Sequence, residues 1–139
     1  MDRPFDDTTR RNIASRCAGF ARLPAIEPAA ALKRAAVAIA LVAAGAGPDA
    51  TALLLTLRAK SLRAHGGQWA LPGGRCDQGE TPAAAALREL HEELGLELGA
   101  SDVLGLLDEY PTRSGYLITP VVVWAAASAG IVPNPDEVA

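Results

Sequence analysis

One strongly punctuated helix constrains the fold of this chain more than any other feature of the sequence. Thr81 is a favourable N-cap, Pro82 suits the first helical position, and Gly95 suits the left-handed residue that ends a helix. At about 100° per residue, one face of this helix carries three leucines, Leu87, Leu90 and Leu94. His91 lies at the edge of that face, where we expect it to pack. The sequence therefore predicts a helix over residues 82–94 that is buried through its leucines.

The opposite face of the predicted helix carries three carboxylates, Glu89, Glu92 and Glu93, within an arc of roughly 100°. A solvated charged face normally alternates in sign, because like charges one turn apart destabilise a helix by about 0.2–0.5 kcal/mol. No lysine lies among these glutamates, and Arg88 is the one cation of the helix, a turn before Glu92. The cluster indicates a bound divalent cation such as Mg²⁺, which prefers carboxylate oxygens. A plain solvated face is the alternative interpretation.

Length and charge limit what the rest of the chain can be. A chain of 139 residues fits one domain over residues 1–139, and its 4% aromatic content requires a core of Val, Leu, Ile and Ala. The net charge of −3 and the absence of a dense basic run argue against a nucleic-acid polymer as partner. The longest apolar stretch, residues 35–47, is shorter than the roughly 20 residues that span a bilayer. With no export signal and two unpaired cysteines, a cytoplasmic protein without membrane contact is expected.

Helix and strand patterns alternate along the chain. A short helix is predicted over residues 6–20, within an N-terminal arm that covers residues 1–33. Glycine and proline make residues 58–79 loop-like. Strands are predicted over residues 34–44, 51–57, 103–109 and 116–126, the first two forming a hairpin. This order indicates an α+β domain with a mixed β-sheet.

Residues 74–96 resemble the signature of the Nudix hydrolases. They read GRCDQGETPAAAALRELHEELGL and match the pattern G-x5-E-x7-R-E-U-x-E-E-x-G-U at every defined position, where U is a bulky aliphatic residue. The resemblance implies a Nudix fold, an α/β/α sandwich in which a mixed sheet supports a loop–helix–loop catalytic motif. It also implies the hydrolysis of a diphosphate bond with Mg²⁺ or Mn²⁺ as cofactor.

The resemblance assigns roles within this Nudix box. The implied metal ligands are Glu89, Glu92 and Glu93, together with the carbonyl of Gly73. One of these glutamates, or a later one, would activate water. Glu80 and Arg88 would brace the loop–helix–loop, with Arg88 in an ion pair with one of the carboxylates. Gly74 would serve the backbone geometry of the motif.

A second pattern lies directly upstream. Residues 54–74 read LLTLRAKSLRAHGGQWALPGG and resemble LLTxR[SA]x3Rx3Gx3FPGG, the additional signature of the coenzyme A pyrophosphatase branch. The substrate-binding residues that this resemblance implies are Arg58, Arg63, Gly67, Gly73 and Gly74. The implied reaction splits coenzyme A or acyl-coenzyme A into 3′,5′-ADP and (acyl-)4′-phosphopantetheine. For Lys60 and Arg75, an ordinary solvated charge is an equally good interpretation.

Two alternatives to the coenzyme A substrate stay open. Leu71 stands where the branch signature has Phe, which leaves open a Nudix diphosphatase for another nucleotide, such as ADP-ribose, a dinucleotide or a nucleoside triphosphate. A non-catalytic Nudix-like binding domain is the second alternative, although its usual sign, loss of box glutamates, is absent. In relatives, a segment similar to residues 135–138 leads into another strand and helix, so we expect a truncated C-terminus that lacks both. A homodimer is left open.

Overall fold

The computed structural model describes residues 4–24, 32–44, 50–59, 66–126 and 131–135. Its two helices are α1 (Asp7–Ala18) and α2 (Pro82–Leu94). Its strands are β1 (Lys33–Ala43), β2 (Thr51–Leu53), β3 (Thr56–Leu57), β4 (Trp69–Ala70), β5 (Gly73–Arg75), β6 (Val103–Leu106), β7 (Tyr110–Pro111) and β8 (Tyr116–Trp124). Neither helix is long and apolar enough to span a membrane.

A parallel pair of long strands, β1 and β8, forms the centre of a six-stranded sheet, with Lys33 opposite Tyr116 and Leu41 opposite Trp124. The other edge of β1 pairs antiparallel with β2 at one end and with β5 at the other. The other edge of β8 pairs antiparallel with β6 and β7 in the same way. The predicted mixed sheet and the predicted β1–β2 hairpin are therefore confirmed.

The sheet lies between the two helices. Small residues of β1 and branched residues of β8 form the core beneath α2 together with its leucines; they include Ala36, Ala38, Ala40, Val121 and Val123. Because side chains alternate along a strand, Val122 and Trp124 face the other side. There Phe5 stacks on Trp124 with ring centroids 4.1 Å apart. The predicted α/β/α sandwich is confirmed.

The N-terminal helix docks on this second face. Asp6 caps α1 by accepting the backbone N–H of Thr9 at 2.8 Å, and the helix ends at Ala18. Arg10 donates to the carbonyl of Ser101 at 2.8 Å, which ties α1 to the turn before β6. The predicted helix within the N-terminal arm is therefore confirmed, while residues 25–31 of that arm lie outside the described part of the chain.

Two strand predictions and one loop prediction need correction. The strand predicted over residues 51–57 is divided into β2, which joins the large sheet, and β3, which pairs with β4 in a separate ribbon. The loop predicted over residues 58–79 contains β4 and β5, which lack apolar alternation and are held by pairing with distant strands. The strand predicted over residues 103–109 ends at Leu106, and β7 follows it.

Candidate active site

The predicted caps position helix α2. The Thr81 hydroxyl accepts the backbone N–H of Ala84 at 3.2 Å. Gly95 adopts a left-handed φ of 69°, and its N–H donates to the carbonyl of His91 at 2.9 Å. The punctuation that the sequence predicts is therefore confirmed at both ends of the helix.

A segment beyond β8 fixes the C-terminal end of α2. The N–H of Val132 donates to the carbonyl of Leu94 at 2.6 Å, and the N–H of Asn134 donates to the carbonyl of Glu93 at 2.7 Å. Such carbonyls lack partners within a helix and need donors from elsewhere. No local sequence pattern predicted this contact, since it joins residues that are distant along the chain.

The carboxylates of α2 are less exposed than the helical projection suggests. Glu89 and Glu93 are only 9% and 6% exposed and lie within the buried part of the helix surface, whereas the Glu92 side chain is 47% exposed. The interpretation as a plain solvated face is therefore wrong for Glu89 and Glu93.

The prediction that His91 packs is also wrong. His91 is exposed, and its Nε2 lies 3.7 Å from Oε1 of Glu97.

Two adjacent glycines of β5 permit close approaches in opposite directions. A Cβ on Gly74 would lie 2.5 Å from Oε1 of Glu89 and 2.7 Å from its Cδ, so this glycine leaves the space that the carboxylate occupies. A Cβ on Gly73 would instead meet the backbone of β1 at the carbonyl of Ala36 and at Cα of Val37. Gly74 thus shapes the glutamate site, and Gly73 lets β5 pair with β1.

Arg88 connects the residues of the box. Its Nε and Nη2 each donate to Glu80 at 3.0 Å, a bidentate pair. Its Nη1 donates to Oε1 of Glu89 at 3.0 Å and to Oε2 of Glu92 at 3.2 Å. Its Nη2 also donates to the carbonyl of Arg75 at 2.9 Å. The predicted ion pair of Arg88 is therefore observed, and it holds the loop, the helix and strand β5 together.

These contacts shift two ionisation equilibria in opposite directions. The hydrogen bonds from Arg88, together with the backbone N–H of Asp77, lower the pKa of the Glu80 carboxyl below its usual range. The same hydrogen bonds raise the pKa of Arg88.

Burial, followed by the negative charge of Glu80, raises the pKa of the Cys76 thiol. Glu80 therefore favours its charged form and Cys76 its neutral form, which makes Cys76 a poor nucleophile.

The glutamates of α2 offer the oxygen ligands that Mg²⁺ and Mn²⁺ prefer. Glu89 and Glu92 both contact the same nitrogen of Arg88, so their carboxylates already converge on a positive charge. Within the described ranges, no group of three His, Cys, Asp or Glu side chains is arranged to enclose an ion. The pair formed by Glu89 and Glu92 matches the one or two carboxylates by which Mg²⁺ is commonly bound, with water and substrate phosphates completing its shell. The predicted cluster of three glutamate ligands is not assembled around one point in this structure, and Glu93 as a ligand stays a prediction.

A cavity of about 410 Å³ lies beside β5, mainly on the face of the sheet opposite α2. Residues of β1, β5, β8 and the β3–β4 ribbon line it: Ala35, Ala36, Val37, Arg58, Gln68, Trp69, Ala70, Leu71, Gly73, Gly74, Arg75, Ser114, Tyr116 and Ile118. Three residues that the sequence predicted as substrate contacts, Arg58, Gly73 and Gly74, are in this lining. The residues from β8 were missed, because only the parallel pairing with β1 brings them here.

Of the two other predicted substrate contacts, Gly67 and Arg63, only Gly67 belongs to the described residues, and it is not in the lining of the cavity. Gly67 is in the turn of the β3–β4 ribbon, with a φ of 76°, and its N–H donates to the carbonyl of Arg58 at 2.9 Å. Its position there is a backbone requirement of the turn. Arg63 lies outside the described residues, as does Lys60.

Comparisons with known proteins agree with this architecture. A family model described as the NUDIX domain matches residues 32–139. The Nudix hydrolase NudL of Pectobacterium atrosepticum is 39% identical over 117 residues, which are 84% of this chain and 59% of that protein, so the chain spans little more than half of this relative. The crystal structure of the M. smegmatis Nudix hydrolase RenU aligns with a TM-score of 0.53 at 31% identity, covering 76% of this chain and 70% of that one.

A more distant structure shows the same fold. The MutT protein from Methanosarcina mazei Go1 aligns with a TM-score of 0.59 at 19% identity, over 81% of this chain and 77% of that one. The family model covers most of the chain and includes both the glutamates of α2 and the residues of the cavity. This chain belongs to the Nudix hydrolase family.

Proposed function

We propose that this chain hydrolyses the diphosphate bond of coenzyme A or acyl-coenzyme A, giving 3′,5′-ADP and (acyl-)4′-phosphopantetheine. The observation that carries the proposal is that residues of two separate sequence motifs meet at β5. On one side of this strand, Gly74 contacts Glu89 of the Nudix box. On the other side, Arg58 and Leu71 of the upstream motif line the cavity. A substrate with a diphosphate and a bulky nucleotide has a matching surface for each part.

The glutamates of α2 provide the hydrolytic chemistry. The proposed ligands of Mg²⁺ or Mn²⁺ are Glu89, Glu92, Glu93 and the carbonyl of Gly73. The bound cation supplies charge neutralisation at the diphosphate and lowers the pKa of a coordinated water. One of the glutamates accepts a proton from the attacking water. Arg88 and Glu80 position these carboxylates through the hydrogen bonds described above.

The reaction requires only water as co-substrate. The water oxygen forms a bond to one phosphorus of the diphosphate, and the bond between that phosphorus and the bridging oxygen breaks. Each product keeps one phosphate of the bridge, and 3′,5′-ADP also keeps the 3′-phosphate. Arg58, and Arg63 in the undescribed segment 60–65, supply positive charge for the phosphates of the substrate. Gly67 shapes the connection between β3 and β4, since its N–H donates to the carbonyl of Arg58, the residue directly after β3. Trp69 of β4 lines the cavity.

Leu71 supports a second candidate, a diphosphatase for another nucleotide such as ADP-ribose, a dinucleotide or a nucleoside triphosphate. Leu71 lines the cavity at the position where the coenzyme A signature has Phe. Exchange of an aromatic for an aliphatic wall removes one surface on which a base or a thioester-bearing arm can pack. The shape of this wall therefore decides between substrates that share the same diphosphate chemistry.

A substrate panel tests the proposal. Purified protein with Mg²⁺ or Mn²⁺ is incubated with coenzyme A, acetyl-coenzyme A, ADP-ribose, NADH, a diadenosine polyphosphate and deoxynucleoside triphosphates, and products are identified by mass spectrometry. Release of 4′-phosphopantetheine with little turnover of the other compounds is the expected result. Preference for another compound would replace the coenzyme A substrate and keep the chemistry.

Matched variants distinguish hydrolysis by this chain from hydrolysis by a contaminating enzyme. Glu92→Gln and Glu93→Gln change carboxylates of the proposed metal site, and Glu97→Gln changes an exposed glutamate just beyond the helix. Only the first two should lose turnover. Folded protein with no turnover of any compound would favour a non-catalytic binding domain.

A further inference from the structure

The cavity has a floor of small and branched side chains. Ala35 and Val37 of β1 lie on the same face of the sheet as Ile118 of β8, because Ala35 is directly opposite Ile118 and side chains alternate along each strand. Ala35 is also opposite Arg75 of β5. A volume of about 410 Å³ is within the range of small-molecule sites. An alanine at this point of the floor leaves room for a group from a ligand.

Two aromatic side chains stand at the sides of the cavity. Trp69 of the β3–β4 ribbon lines it although the residue is 67% exposed, and Tyr116 lines it from the start of β8. Exposed tryptophan beside an apolar floor is favourable when a flat ring stacks against it. The cavity therefore suits a planar base better than a flexible chain.

The charges of the cavity lining have a single sign. Within the described part of the lining, the charged residues are Arg58 and Arg75, and none is a carboxylate. Among the described residues, the Arg75 guanidinium forms no ion pair with a carboxylate, whereas Arg88 pairs with several. The side of the sheet that carries the cavity is thus suited to an anion in addition to a base.

Arg75 connects the cavity to the glutamate site. Its carbonyl accepts a hydrogen bond from Arg88 at 2.9 Å, and its side chain lies on the face of Ala35, since the preceding Gly74 faces Glu89. One residue thus joins the two sites through its backbone on one side and its side chain on the other. A ligand that places its diphosphate near Glu89 and its base in the cavity passes Arg75.

We propose that Arg75 is a specificity-determining residue that binds the 3′-phosphate of a nucleotide whose base lies in the cavity. This inference rests on the proposed function, because coenzyme A carries a phosphate monoester on its ribose in addition to the diphosphate bridge. The planar guanidinium donates two parallel hydrogen bonds to phosphate oxygens, which an ammonium group does not reproduce.

Two nucleotides that differ only in the 3′-phosphate test the assignment. Calorimetric titration measures the binding of 3′,5′-ADP and of 5′-AMP to the full chain, to Arg75→Ala and to Arg75→Lys. The unaltered chain should bind 3′,5′-ADP at least about tenfold more tightly than 5′-AMP. Arg75→Ala should lose this preference and keep its affinity for 5′-AMP, and Arg75→Lys should retain part of the preference. Arg16→Ala, an exposed arginine on α1, is the matched control and should behave as the unaltered chain.

Several results would overturn the proposal. Equal affinity of the unaltered chain for both nucleotides would show that no 3′-phosphate site exists. A preference that survives in Arg75→Ala would assign the phosphate to another residue, and an equal loss of both affinities would place Arg75 at the shared 5′-phosphate. If the chain hydrolyses coenzyme A but does not bind 3′,5′-ADP more tightly than 5′-AMP, only the role of Arg75 is refuted. The preference without hydrolysis of coenzyme A refutes only the proposed substrate.

Discussion

The two sides of strand β5 handle charge in opposite ways. On the side of α2, Arg88 pairs with Glu80, Glu89 and Glu92, so one positive group of the protein lies among several negative ones. On the cavity side, the charged groups among the described lining residues are Arg58 and Arg75. Internal pairing fixes the positions of side chains, whereas a lining whose described charged groups are all positive favours an anionic ligand. The comparison separates the proposed hydrolytic centre, whose side chains are held by internal pairs, from the proposed recognition surface.

The largest expected effect on turnover comes from removing a carboxylate charge on the α2 side of β5. Glu93→Gln keeps the size of a side chain that is 6% exposed but removes its charge, so hydrolysis of the preferred substrate should fall about 10³-fold. Steady-state kinetics measures the loss, and circular dichroism checks that the fold is retained. Unchanged turnover in the folded variant would remove Glu93 from the proposed metal site.

Substitution of the adjacent glycines distinguishes the active site from the sheet. In Gly74→Ala, the new methyl group displaces the carboxylate of Glu89 from its place beside Arg88, so turnover should fall about 10²-fold while the midpoint of thermal unfolding changes less than in Gly73→Ala. In Gly73→Ala, the methyl group meets the rigid backbone of β1, so the free energy of unfolding should fall by about 1–3 kcal/mol. If both variants lost mainly turnover, or both lost mainly stability, the two glycines would not have separate roles.

The Glu80–Arg88 pair should contribute stability that depends on pH. The pKa of Glu80 is lower in the folded chain than in the unfolded chain, so its contribution is present above the unfolded value of about 4.3 and is lost as the pH falls through the folded value. Glu80→Gln should lower the free energy of unfolding at pH 7 by about 1–2 kcal/mol, since the pair is partly exposed. Urea unfolding of the unaltered chain and of Glu80→Gln, at pH 7 and at a pH below the folded pKa of Glu80, measures the difference in the free energy of unfolding. This difference should be smaller in acid. A constant difference would contradict the assignment to this carboxyl.

The smallest effect is expected on the outer surface of α2. His91 is exposed and lies 3.7 Å from Glu97, so His91→Ala should change the free energy of unfolding by less than about 0.5 kcal/mol. It should also leave turnover unchanged, because His91 does not contact the Arg88 network. Urea unfolding and steady-state kinetics check both expectations. A large loss of stability would restore the packing role that the helical projection predicted for this residue.

Local patterns in the sequence were sufficient for helix α2 and for the identity of its charged residues. Thr81 and Gly95 cap the helix where their conformational preferences predict, because capping depends on neighbouring residues alone. The partners of Arg88 were predictable in part: Glu92 is one turn away on the same helix. The family signature implied only that Glu80 and Arg88 brace the motif, and the bidentate pair between them is a finding of the structure. The central strands β1 and β8 were also predicted, since both are long and apolar.

The cavity required the tertiary structure. Strands β4 and β5 are two and three residues long and have no apolar alternation, so only pairing with β3 and β1 makes them strands. Tyr116 and Ile118 reach the cavity because β8 runs parallel to β1 across a long stretch of chain. Burial of Glu89 beside Leu90 likewise depends on the missing side chain of Gly74 in another element.

The sequence by itself determined which groups are available for chemistry, since the charges, caps and motif spacing are properties of short segments. The tertiary structure decided which groups from distant segments lie close together. Gly74 lies on the side of β5 that faces Glu89, and Arg75 lines the cavity on the other side. The physical reason is that strand pairing and burial are set by contacts between distant segments, which no local preference encodes.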